Sequence, residues 1–184
     1  MYKSIFAAVT LMASIFFPVR GIAAAQAQRP TPMQYQQKIT QEVRHQLVML
    51  PYYSVFDNLV FSVNGDAVTL AGQVTQPVLK SDAEKAVKSV EGVATVVNNI
   101  EVLPVSTNDD RLRRALYQAI YGDPQLQMYE LRAVPPIHII VKNGHATLVG
   151  VVANEMDKNV AGIRAKTVPG LFSVENQLEV ENKK

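Results

Sequence analysis

The chain of 184 residues contains no cysteine. That absence excludes disulfides, a lipid-attachment thiol and a cysteine nucleophile together, and leaves stability to apolar cores alone. An excess of either charge is also missing, with 18 Lys and Arg against 16 Asp and Glu. Two of the basic residues, Lys3 and Arg20, sit in the amino-terminal segment, and without them the two signs balance. A binder that tracks nucleic-acid phosphates needs clustered Lys and Arg, so that class is excluded. Histidine is scarce: His45, His138 and His145 are the only three, and none has the spacing of a zinc pair on one helix face. No G-x-S-x-G elbow and no phosphate-cradling glycine loop occurs. Neither a metal, a cofactor nor a catalytic group is expected.

What is present begins with a targeting pattern. A basic start, MYK, leads into the apolar run Ile5–Phe17, which Pro18, Arg20 and Gly21 close, and AAAQAQ then supplies A-x-A matches at 23–25 and 25–27. Thirteen apolar residues fall short of the roughly 20 that span a bilayer. The segment 1–27 therefore reads as a cleaved secretory signal, 28–34 as an N-terminal segment, and the mature chain as soluble outside the cytoplasm.

The rest is written twice. GVATVVNNIEV (92–102) returns as GLFSVENQLEV (170–180). A shift of 78 residues also lays VTLAGQV (68–74) on ATLVGVV (146–152) and LVFSV (59–63) on IHIIV (137–141). Farther upstream the shift becomes 73, pairing Ile39, Leu47 and Pro51 with Leu112, Ile120 and Pro124. The second copy thus carries five extra residues between its first helix and first strand, around 125–136.

Each copy can be read by its apolar period. Ile39, Val43 and Leu47, like Leu112, Leu116 and Ile120, recur every four residues and mark the buried face of a helix. Thr31 before Pro32, and Asn108 before Asp109 and Asp110, supply the start signals. Alternation follows at Leu59, Phe61 and Val63 and at Ile137, Ile139 and Val141, and Asn-Gly pairs at 64–65 and 143–144 announce hairpins. Gly72 and Gly150 fall on inward positions of the returning strand and are expected where a helix packs closely. Pro77 behind Gln76 opens a second helix, Asn154 caps its twin, and Gly92 and Gly170 end the two. In the last strand Asn98 and Asn176 share a face with aliphatic neighbours, where an unpaired amide costs about 1–3 kcal/mol. A repeated structural bond is expected there.

Helix, strand, strand, helix, strand, with TLAG or TLVG after the hairpin and V-x-N-x-I-x-V or V-x-N-x-L-x-V at the end, resembles the BON domain family. The likeness covers 35–104 and 109–182, joined by the linker 105–108. It implies an α+β fold of two αββαβ domains, each a small mixed three-stranded sheet against two helices. It also implies periplasmic residence, no catalysis, and attachment to envelope phospholipid or membrane-associated protein, in osmotic or envelope stress. Two rivals remain open from the residues: a protein adaptor docking on an outer-membrane assembly, and a small-solute or ion sensor.

One helix face invites a sharper expectation. Over 110–122 a helical wheel turns Leu112, Leu116, Ala119 and Ile120 inward and sets Arg114, Tyr117 and Tyr121 on the other side, with Arg111 nearby. Tyrosine beside arginine suits a headgroup boundary or a protein interface, so these four are the candidate lipid- or partner-binding residues. His138 is expected on an outer strand face and His145 just after a turn. Asp109-Asp110 and Asp82-x-Glu84 are expected to serve helix starts rather than chemistry. Ile140, Val149 and Val151 alternate away from the core, and the other domain is their expected cover.

Overall fold

The structure is a computed structural model that describes residues 31–132 and 134–181; the segment 1–27, expected to be a secretory signal, lies outside them. The first domain opens with α1 (Pro32–Val48), whose cap is reciprocal: Gln34 N donates to Thr31 Oγ1 at 3.3 Å and Thr31 N to Gln34 Oε1 at 2.9 Å. Strands β1 (Asn58–Asn64) and β2 (Ala67–Val74) form an antiparallel hairpin. Helix α2 (Pro77–Lys88) then crosses over, and β3 (Thr95–Asn98) and β4 (Glu101–Val102) lie parallel to β2. The second domain repeats this order as α3 (Thr107–Tyr121), β5 (Ile137–Lys142), β6 (His145–Val152), α5 (Glu155–Lys166) and β7 (Ser173–Val180), with a short extra helix α4 (Gln127–Glu130) after α3. One strand of the first domain is thus split where the second has a single β7, although Asn99 N and Leu103 N still donate to Leu70 O and Val74 O at 2.8 Å each.

Polar locks recur at the same repeat positions. The Asn98 amide donates to Lys80 O at 2.8 Å and its Oδ1 accepts from Ile100 N at 3.2 Å; Asn176 does the same with Lys158 O at 2.7 Å and Leu178 N at 3.2 Å. Each asparagine therefore ties the last strand to the crossover helix and fills the bond its own strand omits. Gly92 and Gly170, after the crossover helices, have φ of +93° and +90°.

Three local expectations need correction. Gly72 and Gly150 do not admit a helix: an added Cβ would stand 2.0 Å from Asn58 O and 1.9 Å from Pro136 O, at the start of the partner strand. With φ of +109° and +124°, both let the hairpin strands close on each other. The cap of α3 is Ser106, which accepts from Asp109 N at 3.1 Å, rather than Asn108. Asp109 is instead buried, and accepts from Asn143 N and Gly144 N at 2.9 Å each, so it braces the β5–β6 turn. Asp82 and Glu84 lie inside α2, not at its start, and pair with Lys85 and Lys88.

Two separate cores form, one around Ile39, Leu70 and Leu79, the other around Leu112, Ile139 and Leu148, with one exchange between them. Val55, from the loop between α1 and β1, packs in the second core, and its carbonyl accepts from Ile139 N at 2.8 Å on the outer edge of β5. The loop is pinned at its base by buried Asp57, which accepts from Ser54 and from Thr75 N at 2.6 Å and Thr75 Oγ1 at 2.8 Å. Residues 53–57 thus strap one domain to the other. Lys142 and Glu101 add an exposed ion pair across the seam at 2.5 Å. Of the three outward aliphatics, Ile140 is buried, Val149 half-buried and Val151 still exposed, so the neighbouring domain covers them only in part.

The same strap displaces His138 from the surface position expected of it. Its ring lies against Tyr53 at 5.7 Å between centroids, it is only 9% exposed, and its Nδ1 has no hydrogen bond of good geometry. Burial lowers its pKa below the ordinary 6.5; the Asp57 and Ser54 backbone and the Asp57 carboxylate oppose this in part. Burial likewise pushes the Tyr53 phenol up to about 12.

Two outcomes follow. Asn98→Ala and Asn176→Ala should each lower stability by about 1–3 kcal/mol in urea denaturation, since each leaves a part-buried strand N–H without its partner and removes the tie to the crossover helix. His138 stays neutral in the folded chain while the unfolded chain takes up the proton, so stability should fall as pH drops through 6.5 towards the lower folded value. The slope cannot exceed about 1.4 kcal/mol per pH unit. Melting curves between about pH 8 and about pH 5 should show this loss in the native chain and a smaller one in His138→Phe.

Candidate binding surface

Helix α3 does not offer the four-residue polar face that its wheel suggests. Arg111 and Arg114 are exposed, Tyr117 is half-buried, and Tyr121 is 2% exposed with its hydroxyl donating to Ile137 O at 2.6 Å. The segment with the five extra residues enters the same core as Tyr121. Leu126 and Tyr129, in and just before α4, are buried in the second core. Tyr129 donates to Asp157 Oδ2 at 2.5 Å and accepts from Ala153 N at 2.8 Å. The inserted segment is thereby held against the second core, beside α3. Tyr121 thus lies in the same core as Leu112 and Ile139, and burial raises its pKa.

Tyr117 stands at the boundary of this interior. Its hydroxyl donates to Glu130 Oε1 at 2.7 Å, and that bond, followed by burial, raises its pKa. Its ring lies 4.9 Å from that of Tyr121 and 6.2 Å from that of Phe56, centroid to centroid. Phe56, Arg114, Tyr117 and Gln118 together line an open pocket of about 260 Å³ with a largely apolar surface. Arg111 lies one turn earlier and donates to Asn108 Oδ1 at 2.9 Å. Neither Arg111 nor Arg114 forms an ion pair among the described residues.

The structure therefore brings Arg114 and Tyr117 together, keeps Arg111 beside them, and removes Tyr121. It adds Phe56, which periodicity could not find: the ring arrives from the strap of the other repeat. The arrangement offers the exposed Arg114 beside aromatic ring surface, with the exposed Arg111 one turn away, and can receive an anion and an apolar neighbour together.

His145 is exposed, with its Nδ1 2.8 Å from Ser173 Oγ and its ring beside Phe172. Asp157 is engaged by Tyr129, Gln125 and Asn154, and Asp123 by Arg164 at 2.6 Å. Among the described residues no group of three metal-ligating side chains occurs, and no helix is long and apolar enough to cross a membrane.

Comparison with known proteins agrees with the duplicated architecture. No curated protein sequence matches the chain. Two solved structures are similar at low identity. One is CdsD, a structural protein of the type III secretion system of Chlamydia trachomatis: 13% identity, TM-score 0.32, covering 78% of this chain and 93% of that one. The other is the C-terminal domain of CdsD, with 15% identity, TM-score 0.28, and 79% and 98% coverage. Scores so low carry no weight for the assignment. The BON domain model, by contrast, matches twice, over 36–104 and 108–182, and these spans take in both sheets, both crossover helices and both asparagine locks. The chain belongs to the BON domain family and carries two such domains in tandem.

Proposed function

We propose that this chain is a non-catalytic module of the periplasm that attaches to anionic phospholipid of the envelope through the exposed side of α3. BON domains are small envelope-associated binding modules, generally without catalysis. The observation that carries the finer reading is the pocket between Phe56, Arg114, Tyr117 and Gln118, with Arg111 on the preceding turn. Two unpaired arginines attract a phosphodiester, and the neighbouring ring surface accepts the upper acyl region at a headgroup boundary. Secretion by the 1–27 segment would place the module where such lipid faces it, and a role in osmotic or envelope stress would follow from retention at the membrane.

The first domain has no matching surface, since the counterparts of Arg114, Tyr117 and Tyr121 at the 73-residue shift are Gln41, Arg44 and Val48. Attachment through one domain leaves the other free for a further partner.

Vesicle sedimentation tests the reading. The native chain should pellet with vesicles containing anionic phospholipid and not with neutral ones. Arg111→Glu combined with Arg114→Glu should weaken pelleting about tenfold or more, and about 0.5 M salt should do the same. Equal pelleting with neutral vesicles, or indifference to the charge reversals, would refute attachment through this face.

A further inference from the structure

The two domains enclose a second feature, a groove of about 670 Å³ that the lipid reading does not use. One wall is the first domain, with Arg44 and Val48 of α1 and residues 58–61 and 63 of β1. The opposite wall is the second domain, with Val134, Pro136, His138 and Val151. Arg44 and Val48 are the repeat counterparts of Tyr117, whose hydroxyl is held by Glu130 of the inserted segment, and of Tyr121, which is buried in the second core. The first domain lacks that insertion, so the equivalent ground stays open and Val48 remains 42% exposed.

Successive residues of β1 line the groove, not alternate ones. A sheet face presents every second residue, whereas a strand edge presents them all, together with its outward N–H and C=O groups. β1 pairs only with β2, and among the described residues no other backbone group bonds its outer edge.

The four sheet edges are defended unequally. The outer edge of β5 is occupied by the Val55 carbonyl on Ile139 N. The edge formed by β3 and β4 is interrupted at 99–100 and carries Glu101. β7 carries exposed Glu175 and Glu179. β1, seven residues of NLVFSVN, has no charge, no proline and no interruption. Natural sheets blunt an edge with such devices unless something is meant to pair with it.

The groove also has a sign. Arg44 is exposed, forms no ion pair among the described residues, and has no carboxylate beside it in the described lining. We propose that the groove binds an extended segment of a protein partner, which adds a strand to the open edge of β1, places apolar side chains at alternate positions between the two domains, and sets a carboxylate against Arg44. Main-chain bonds to β1 supply affinity, and the apolar walls with the guanidinium supply selectivity.

A displayed library of random twelve-residue peptides, selected on the intact chain, tests this. Enriched peptides should alternate apolar residues with an Asp or Glu among the polar positions. A synthetic copy should shift the amide resonances of Leu59, Phe61 and Val63. Arg44→Glu and Val60→Lys, at an exposed helix position and an exposed strand position, should each weaken it about tenfold while circular dichroism stays unchanged. Enrichment without alternation, no enrichment, or binding insensitive to both substitutions would overturn the proposal. So would a self-association that Val60→Lys abolishes, which would make a second copy the occupant. Shifts of the same amides on adding anionic vesicles would overturn it in favour of a membrane.

Discussion

One valine in a foreign core sets the geometry of this protein. Val55 belongs by sequence to the first repeat and by packing to the second, and its carbonyl completes a bond on the outer edge of β5. Burying a valine side chain contributes about 1.5–3 kcal/mol, a large share of what holds a domain of this size. Asp57 anchors the loop to the end of β2, so the inserted valine positions a whole domain rather than a loose segment. The flanking residues then act from fixed places. Tyr53 shelters His138, and Phe56 builds the pocket on α3. The groove between the domains takes its walls from the same docking.

Duplication followed by a small insertion explains how one fold offers two dissimilar surfaces. Both copies keep the asparagine lock and the glycine that lets the hairpin close. The segment that carries five added residues in the second copy packs into the core where Tyr121 is buried, and its Glu130 covers the Tyr117 hydroxyl. Without that cover, the corresponding helix of the first copy leaves Arg44 and Val48 beside an open strand edge. Even the lock is adapted. Glu84 assists the Asn98 amide at 3.1 Å, while at the same position the second copy has Gly162, where a Cβ would come within 2.7 Å of Asn176 Nδ2.

The sequence discloses contacts that period and turn residues announce and hides those that join distant segments. The asparagine locks were legible because an amide on an apolar face demands a partner, and the returning phrase repeats that demand. The strand order was legible from period and turn residues. Gly72 and Gly150 were legible only as sites of close approach; whether helix or strand approaches depends on a twist that composition does not encode. Tyr121 was misplaced because a helical wheel counts one stripe as core, whereas Tyr121 joins the same core and bonds Ile137 O at the start of β5. His138 and Phe56 were beyond reach because each finds its surroundings across the seam. Ser106 rather than Asn108 caps α3, and Asp109 in its first turn braces the β5–β6 turn, a contact 34 residues away in the chain that period does not announce.

Amide hydrogen exchange at Ile139 tests the strap most directly. That N–H faces away from β6, so only the Val55 carbonyl can protect it. The account predicts slow exchange at Ile139 in the intact chain, and loss of that protection in Val55→Asp while Leu148, inside the sheet, remains protected. Ile139 exchanging as fast as an open amide in the native chain, or keeping its protection in Val55→Asp, would contradict it.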